Sequence, residues 1–228
     1  MLGGGKYRAW RVRQRLRRAV NPVRPVLYRS RPFSRWGAEP RGTAICRIYI
    51  DAFVARHGAD VTGRVLEVGD RWYTQRFGQN VTTSDVLDVD PANERATVVA
   101  DLCAADDIPS DCYDCFLLIQ TLQYLVDPWA ALRHVRRVLR PGGVLLATVP
   151  TMQRVDDSYG GIDRWRFTPR GCQDLFGSVF SGVEVEGRGN LTAVIGQTLG
   201  LASEEFSRRR FEPYDPDYPL VVLVRAVK

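Results

Sequence analysis

There is no lysine between Lys6 and Lys228. A phosphate-cradling loop ending in Gly-Lys-Ser/Thr is therefore excluded. So is an internal amine that could form a Schiff base or lower a tyrosine's pKa. Histidine is nearly as scarce: His57 and His134 are the two in the chain, and both fall in helical patterns. The five cysteines, Cys46, Cys103, Cys112, Cys115 and Cys172, are an odd number, which argues against a disulfide framework. Cys112 and Cys115 form a lone Cys-x-x-Cys without a second pair or histidines at ligand spacing, so no metal site is expected. Cys115 reads instead as a core residue of a strand, with Cys112 just before it. No apolar run reaches the roughly 18 residues that a spanning helix needs. The basic N-terminus lacks the apolar segment of a secretory signal. A cytoplasmic protein is expected.

The first 41 residues hold a single acid. Glu39 stands alone against Lys6 and eleven arginines, a net +11, which leaves −5 for the remainder of a chain whose total is +6. The division expected is a basic arm over 1–40 and one domain over 41–228. Trp10, Val12, Leu16, Ala19 and Val20 give a ragged apolar stripe if 7–20 is helical, and Pro22, Pro25 and Pro32 break any helix beyond it. Three readings of the arm compete: a solvated, unstructured tail, docking of residues 1–36 on an anionic membrane surface, and nucleic-acid binding. The last has no nucleic-acid fold motif behind it and is not expected.

What the rest contains is strand–turn units. Arg64–Val68 runs into Gly69-Asp70, Asn80–Ser84 into Asp85, and Ala96–Ala100 into Asp101. Short aliphatic runs of this kind suit strands buried on both faces of a parallel sheet. In such sheets a ligand lies across the carboxyl ends of the strands. Glu67 or Asp70, Asp85 and Asp101 would then offer carboxylates to sugar hydroxyls and an amino-purine. Further along, the pattern predicts a helix from Thr43, as N-cap, to about His57. A fourth strand spans Tyr113–Ile119. A helix follows Asp127-Pro128 and buries Trp129, Leu132, Val135, Val138 and Leu139, with His134 on its outer face. Pro141-Gly142-Gly143 turns into a fifth strand, Val144–Val149. Thr168-Pro169 starts another helix, Val183–Gly187 is a sixth strand, 191–206 is helical, and Tyr218–Ala226 is the last strand. Alternating strands and helices that end in a strand pair describe a doubly wound α/β domain.

In order, Glu67-Val68-Gly69, Asp85, Asp101-Leu102, Ile108-Pro109, Tyr113-Asp114 and Leu139-Arg140-Pro141-Gly142-Gly143 resemble class I S-adenosylmethionine-dependent methyltransferases over roughly residues 41–228. Asp163-Arg164-Trp165-Arg166-Phe167-Thr168 is similar to an Asp-x-Trp-Arg-Phe-Thr segment of a bacterial, methyltransferase type 11-like subgroup, often associated with glycan or small-molecule biosynthesis. The resemblance implies a mostly parallel seven-stranded sheet and S-adenosylmethionine as cofactor, with S-adenosylhomocysteine as product and no metal. It places Glu67, Gly69 and Asp70 at the methionine end and Asp85, with Val86, at the ribose. Asp101 and Leu102 would meet the adenine, and Gln120 and Thr121 the sulfonium region. The family's first loop carries further glycines where this chain has Asp70-Arg71-Trp72-Tyr73.

The function expected is methyl transfer to a small-molecule acceptor, most simply a hydroxyl. Gln123, Tyr124, Trp165 and Arg166 are the candidate acceptor pocket, an apolar body with a few polar groups. Asp163 is the candidate base, with a structural ion pair to Arg164 or Arg166 as its alternative; Asp156, Asp157 and Tyr159 come next. A non-catalytic methyltransferase-like binding protein competes with this reading. A nicotinamide-dependent oxidoreductase would want Gly-x-Gly-x-x-Gly after the first strand, which is absent. No feature of the sequence sets an oligomeric state.

Overall fold

The structure is a computed structural model that describes residues 30–35, 38, 41–156 and 162–228. Nearly all of the basic arm, with Asp157 and Tyr159, lies outside the described residues. The strands are β1 Gly63–Val68, β2 Val81–Asp88, β3 Val98–Val99, β4 Tyr113–Ile119, β5 Leu139–Pro150, β6 Gly182–Arg188 and β7 Val221–Val227. The helices are α1 Ile45–Arg56, α2 Trp72–Phe77, α3 Pro128–Val138, α4 Pro169–Gly177 and α5 Leu191–Thr198. One seven-stranded sheet runs β3-β2-β1-β4-β5-β7-β6. Its first five strands are parallel, while β7 is antiparallel to both β5 and β6. This is the mostly parallel seven-stranded α/β sheet expected.

Successive side chains of a strand point to opposite faces, and here both faces are covered. On β4, Phe116 and Leu118 enter a core with Leu132 and Val135 of α3 and Phe176 of α4. Cys115 and Leu117 enter a second core with Ile50 and Phe53 of α1 and Val194 of α5. Burial on both sides explains the unbroken apolar run Cys-Phe-Leu-Leu.

Two predicted helix starts hold. The Asp127 carboxylate accepts from Ala130 N at 3.0 Å ahead of Pro128, and Thr168 Oγ1 accepts from Gly171 N at 3.0 Å ahead of Pro169. Others shift. Ala44, not Thr43, precedes α1, because Ala44 bridges to Ala202 and carries the Thr43 hydroxyl to Glu204 Oε1 at 2.7 Å. Trp129 is 47% exposed, outside the arc of Ala131, Leu132, Val135 and Val138. Its neighbour across the helix, His134, is half-buried rather than solvated. The helix expected over 191–206 stops at Thr198, since Gly200 takes φ +70°, the left-handed conformation that ends helices.

The largest shift concerns β2. It does not end at Asp85 but runs three residues further, with Leu66 opposite Asp85 and Val68 opposite Leu87. Asp88, paired with Val99, closes the strand. β3 is correspondingly short.

Candidate active site

The strand order reverses between β1 and β4, and the crevice above that point is where ligands of open α/β sheets lie. Gly69 follows β1 there. Its N–H donates to Leu87 O at 2.9 Å, its φ is +78°, and a Cβ at this position would meet no atom within 4 Å. The backbone is thus bent toward open space, as close approach of a ligand requires. Across the crevice Gln120 follows β4 with φ +52°, a left-handed conformation uncommon outside glycine. Its N–H donates to Thr148 O at 2.9 Å on β5.

Asp85 and Val86 do not reach this crevice. Val86 is fully buried, its N–H donating to Thr97 Oγ1 at 2.9 Å. Asp85 accepts from Arg64 Nε at 2.9 Å, from Tyr113 Oη at 3.2 Å and from Thr97 Oγ1 at 3.1 Å. Arg64 is the second residue of β1 and Tyr113 the first of β4, so these bonds turn the Asp85 side chain toward the amino ends of those strands. The carboxylate that closes β2, beside the glycine turn, is Asp88, which the sequence reading passed over. Asn93 Nδ2 donates to Asp88 Oδ2 at 2.6 Å and to Gly69 O at 3.0 Å, tying the loop after β2 to the glycine turn.

The loop after Gly69 manages without further glycines because Glu67 closes it. The buried Glu67 carboxylate accepts from Tyr73 N at 3.0 Å and from Thr74 N at 2.8 Å and Oγ1 at 2.7 Å. Arg71, which precedes α2, caps nothing, so Glu67 satisfies the first free N–H groups of that helix. Burial pushes its pKa up, against those hydrogen bonds. Glu67 is therefore a support of the turn, with its acceptors committed to α2. Asp70 is turned outward to an ion pair with Arg95.

Asp101 is exposed and accepts from Cys103 N at 2.8 Å, holding a 3₁₀ turn over 102–104 in which the Leu102 side chain is buried. Thr121 Oγ1 donates to Ile119 O at 3.1 Å beside Gln120.

The acceptor-pocket residues divide. Gln123 O accepts from Arg164 N at 2.9 Å and Trp165 N at 3.2 Å, and Trp165 Nε1 donates to Leu125 O at 2.8 Å. These bonds bring Gln123, Tyr124 and Trp165 together over the ends of β4 and β5. Gln123 is 4% exposed; its Nε2 donates to Gln120 O at 2.8 Å, while Oε1 is buried without a donor among the described residues. Arg166 turns away. It forms a two-pronged pair with Asp163, Nη2 to Oδ2 at 2.7 Å, and also donates to Arg154 O at 2.6 Å.

That pair is the ion-pair alternative expected for Asp163. Its side chain is 2% exposed and also accepts from Asp156 N at 2.7 Å. Although burial works to raise its pKa, the Arg166 and Asp156 hydrogen bonds hold it below the usual aspartate range. A base must take up a proton from the acceptor, and this carboxylate is spent on holding its own loop. A cavity of about 260 Å³ lies elsewhere, between α1, β7 and the turn at 208–214, and is not part of the crevice.

The sheet order and the bent turn after β1 are those of the class I S-adenosylmethionine-dependent methyltransferase fold. Residues 61–147 match the methyltransferase domain family model, from just before β1 into β5. No curated protein matches the chain. Three solved structures share the fold. One is a complex of the Haloferax volcanii Trm112 methyltransferase activator with a putative methyltransferase, at 17% identity over 80% of this chain and 92% of that one, TM-score 0.55. An S-adenosylmethionine-dependent methyltransferase from Mesorhizobium loti is similar at 19% identity, over 77% of this chain and 95% of that one, TM-score 0.54. Haemonchus contortus phosphoethanolamine N-methyltransferase 2, in complex with S-adenosyl-L-methionine, is similar at 18% identity over 79% of this chain and 52% of that one, TM-score 0.55.

Proposed function

We propose that this chain transfers a methyl group from S-adenosylmethionine to a hydroxyl of a small molecule, a sugar or a secondary metabolite, in a biosynthetic step. The observation that carries the cofactor half is the open space over Gly69, flanked by Asp88 at the end of β2 and Gln120 at the end of β4. In this reading Asp88 accepts from the ribose hydroxyls, the role first expected of Asp85. Asp101 and the Leu102 backbone meet the adenine, and Gly69, Gln120 and Thr121 border the methionine end. When bound, the cofactor supplies a methyl group on a sulfonium, which the acceptor oxygen takes as the sulfur–carbon bond breaks.

The acceptor half rests on two buried amides. Gln123 must turn its nitrogen to Gln120 O, because a carbonyl can only accept; Oε1 is left to receive an O–H or N–H donor. Gln153 Nε2 is buried without an acceptor among the described residues, and Gln153 O and Gln123 O both bond the 164–166 segment. A hydroxyl suits this pair better than an amine. Its oxygen has two lone pairs, so one can accept from Gln153 while the other attacks; a neutral amine has one. The hydroxyl's one proton points to Gln123 Oε1 while the acceptor is bound and is released to water as the oxygen–methyl bond forms; Asp156, paired with Arg154 and accepting from Tyr124 Oη at 3.4 Å, is not needed as a base. Trp165 holds the acceptor against the end of β4, where proximity and alignment supply about 7–11 kcal/mol of barrier lowering. We place the protein in the cytoplasm, with residues 1–36 meeting an anionic membrane surface.

A second reading, a non-catalytic methyltransferase-like protein, draws on Asn93, which already bridges Gly69 O and Asp88. Calorimetric titration with S-adenosylhomocysteine separates the two, together with transfer of labelled methyl to a panel of sugars and phenols. Micromolar binding with transfer is expected. Absence of both heat and transfer would leave the second reading in its place.

A further inference from the structure

The face of α5 that points away from the sheet is apolar. Ala193, Val194 and Gly196 are buried, while Leu191 is 47% and Ile195 43% exposed one turn apart, and no described residue covers them. Exposed large aliphatics at i and i+4 form a stripe along one side of a helix.

Both ends of this stripe meet cationic chain. At its C-terminal end Leu199 O accepts from Phe33 N at 2.8 Å, so the arm joins the body there; Phe33 is itself 42% exposed. At its N-terminal end the Asn190 side chain caps α5 and donates to Arg210 O at 2.9 Å and Pro213 O at 2.7 Å. That bond sets the exposed arginines 208–210 and Tyr214 beside Leu191. Glu204 and Glu205 are turned onto Thr43 and Arg41, whereas Glu212, Asp215 and Asp217 offset the three arginines. The structured face thus supplies apolar contact and little net charge. The charge comes from the 29 residues before Ser30, within a segment that carries +11 over 1–41.

We propose that the exposed side of α5, with Phe33 and Tyr214 at its flanks, docks on an anionic phospholipid bilayer. The arm provides electrostatic attraction and the Leu191–Ile195 stripe enters the headgroup boundary. Stable attachment takes two such signals, because either alone is marginal. The proposal builds on the membrane reading of residues 1–36, and the two fail separately.

The test is flotation of the full chain with vesicles of phosphatidylglycerol and phosphatidylcholine, against phosphatidylcholine alone. Binding to the anionic vesicles is expected, with none to the neutral ones. Leu191→Glu with Ile195→Glu should lower partition about ten-fold, the scale of losing one of two anchoring signals, with the melting temperature retained. Arg133→Gln with Arg136→Gln removes two exposed cations from α3 on the other face of the sheet, and it should stay within about two-fold. If deletion of residues 1–29 abolishes flotation while the α5 variant floats like the parent, the arm reading stands and the α5 proposal falls. An equal loss from the α3 control overturns it too, as does loss of a dimer rather than of vesicle binding in the α5 variant. A full chain that does not float with anionic vesicles removes both readings.

Discussion

The crevice above β1 and β4 and the loops that follow β5 are built on opposite plans. In the crevice the backbone does the work: Gly69 and Gln120 are bent into left-handed conformations, and space is left open above the turn. In the loops over 151–156 and 162–168 side chains do it. Asp163 with Arg166, and Trp165 with Leu125 O, tie one segment to another. A site for a common cofactor can be shaped by strand ends, which the sheet fixes. A site for a particular acceptor sits on loops, which have to be pinned by their own ion pairs.

This contrast can be broken at either end. The largest effect is expected from Asp163→Asn. It halves a nearly buried pair, so chemical denaturation should show a loss of about 2 kcal/mol. The native Asp163 pKa lies below its unfolded value, so its stabilisation is complete above the ordinary aspartate value of about 3.9 and fades as pH falls through the native one. The gap between parent and variant should close over that acid range and stay constant above it. A gap that persisted to the lowest pH would contradict the ion-pair assignment. Next, Asp88→Ala should weaken S-adenosylhomocysteine about ten-fold, or 1.4 kcal/mol, whereas Asp85→Ala should lower stability and leave that affinity within about two-fold. The reverse ranking would return the ribose role to Asp85. Smallest is Gly69→Ala. Its positive φ costs an L-residue about 1 kcal/mol, yet the new methyl meets no protein atom. Melting should shift slightly while cofactor affinity falls; unchanged affinity would mean that nothing approaches the turn.

The features legible in the sequence were the local ones. Asp127-Pro128 and Thr168-Pro169 mark helix starts because cap and helix are three residues apart. The β4 run declares burial on both faces by itself. Asp85 follows the run Val81–Ser84, so the pattern ends the strand there, whereas β2 runs on to Asp88. Which of them lies at the ligand end depends on register with β1, a pairing across some twenty residues. Glu67 was singled out for the cofactor, but its partners lie on α2. The signal was there: α2 begins after Arg71 with no Ser, Thr, Asp or Asn to cap it. Asp163 needed Arg166 and the Asp156 backbone in one place, which loop sequence alone does not supply.

The position of β7 between β5 and the edge strand β6 has one more consequence, for the order in which the molecule can be assembled. β6 has no partner in the sheet except β7, and β7 also covers the outer edge of β5. On the ribosome both must wait until residues 221–227 have emerged, with the apolar β5 edge bare in the meantime. An uncovered apolar edge invites pairing with a second chain. Lys228 then latches the finished strand, its Nζ donating to Leu139 O at 2.7 Å at the start of β5. A nascent chain stalled before Val221 would be the form that a chaperone has most reason to hold.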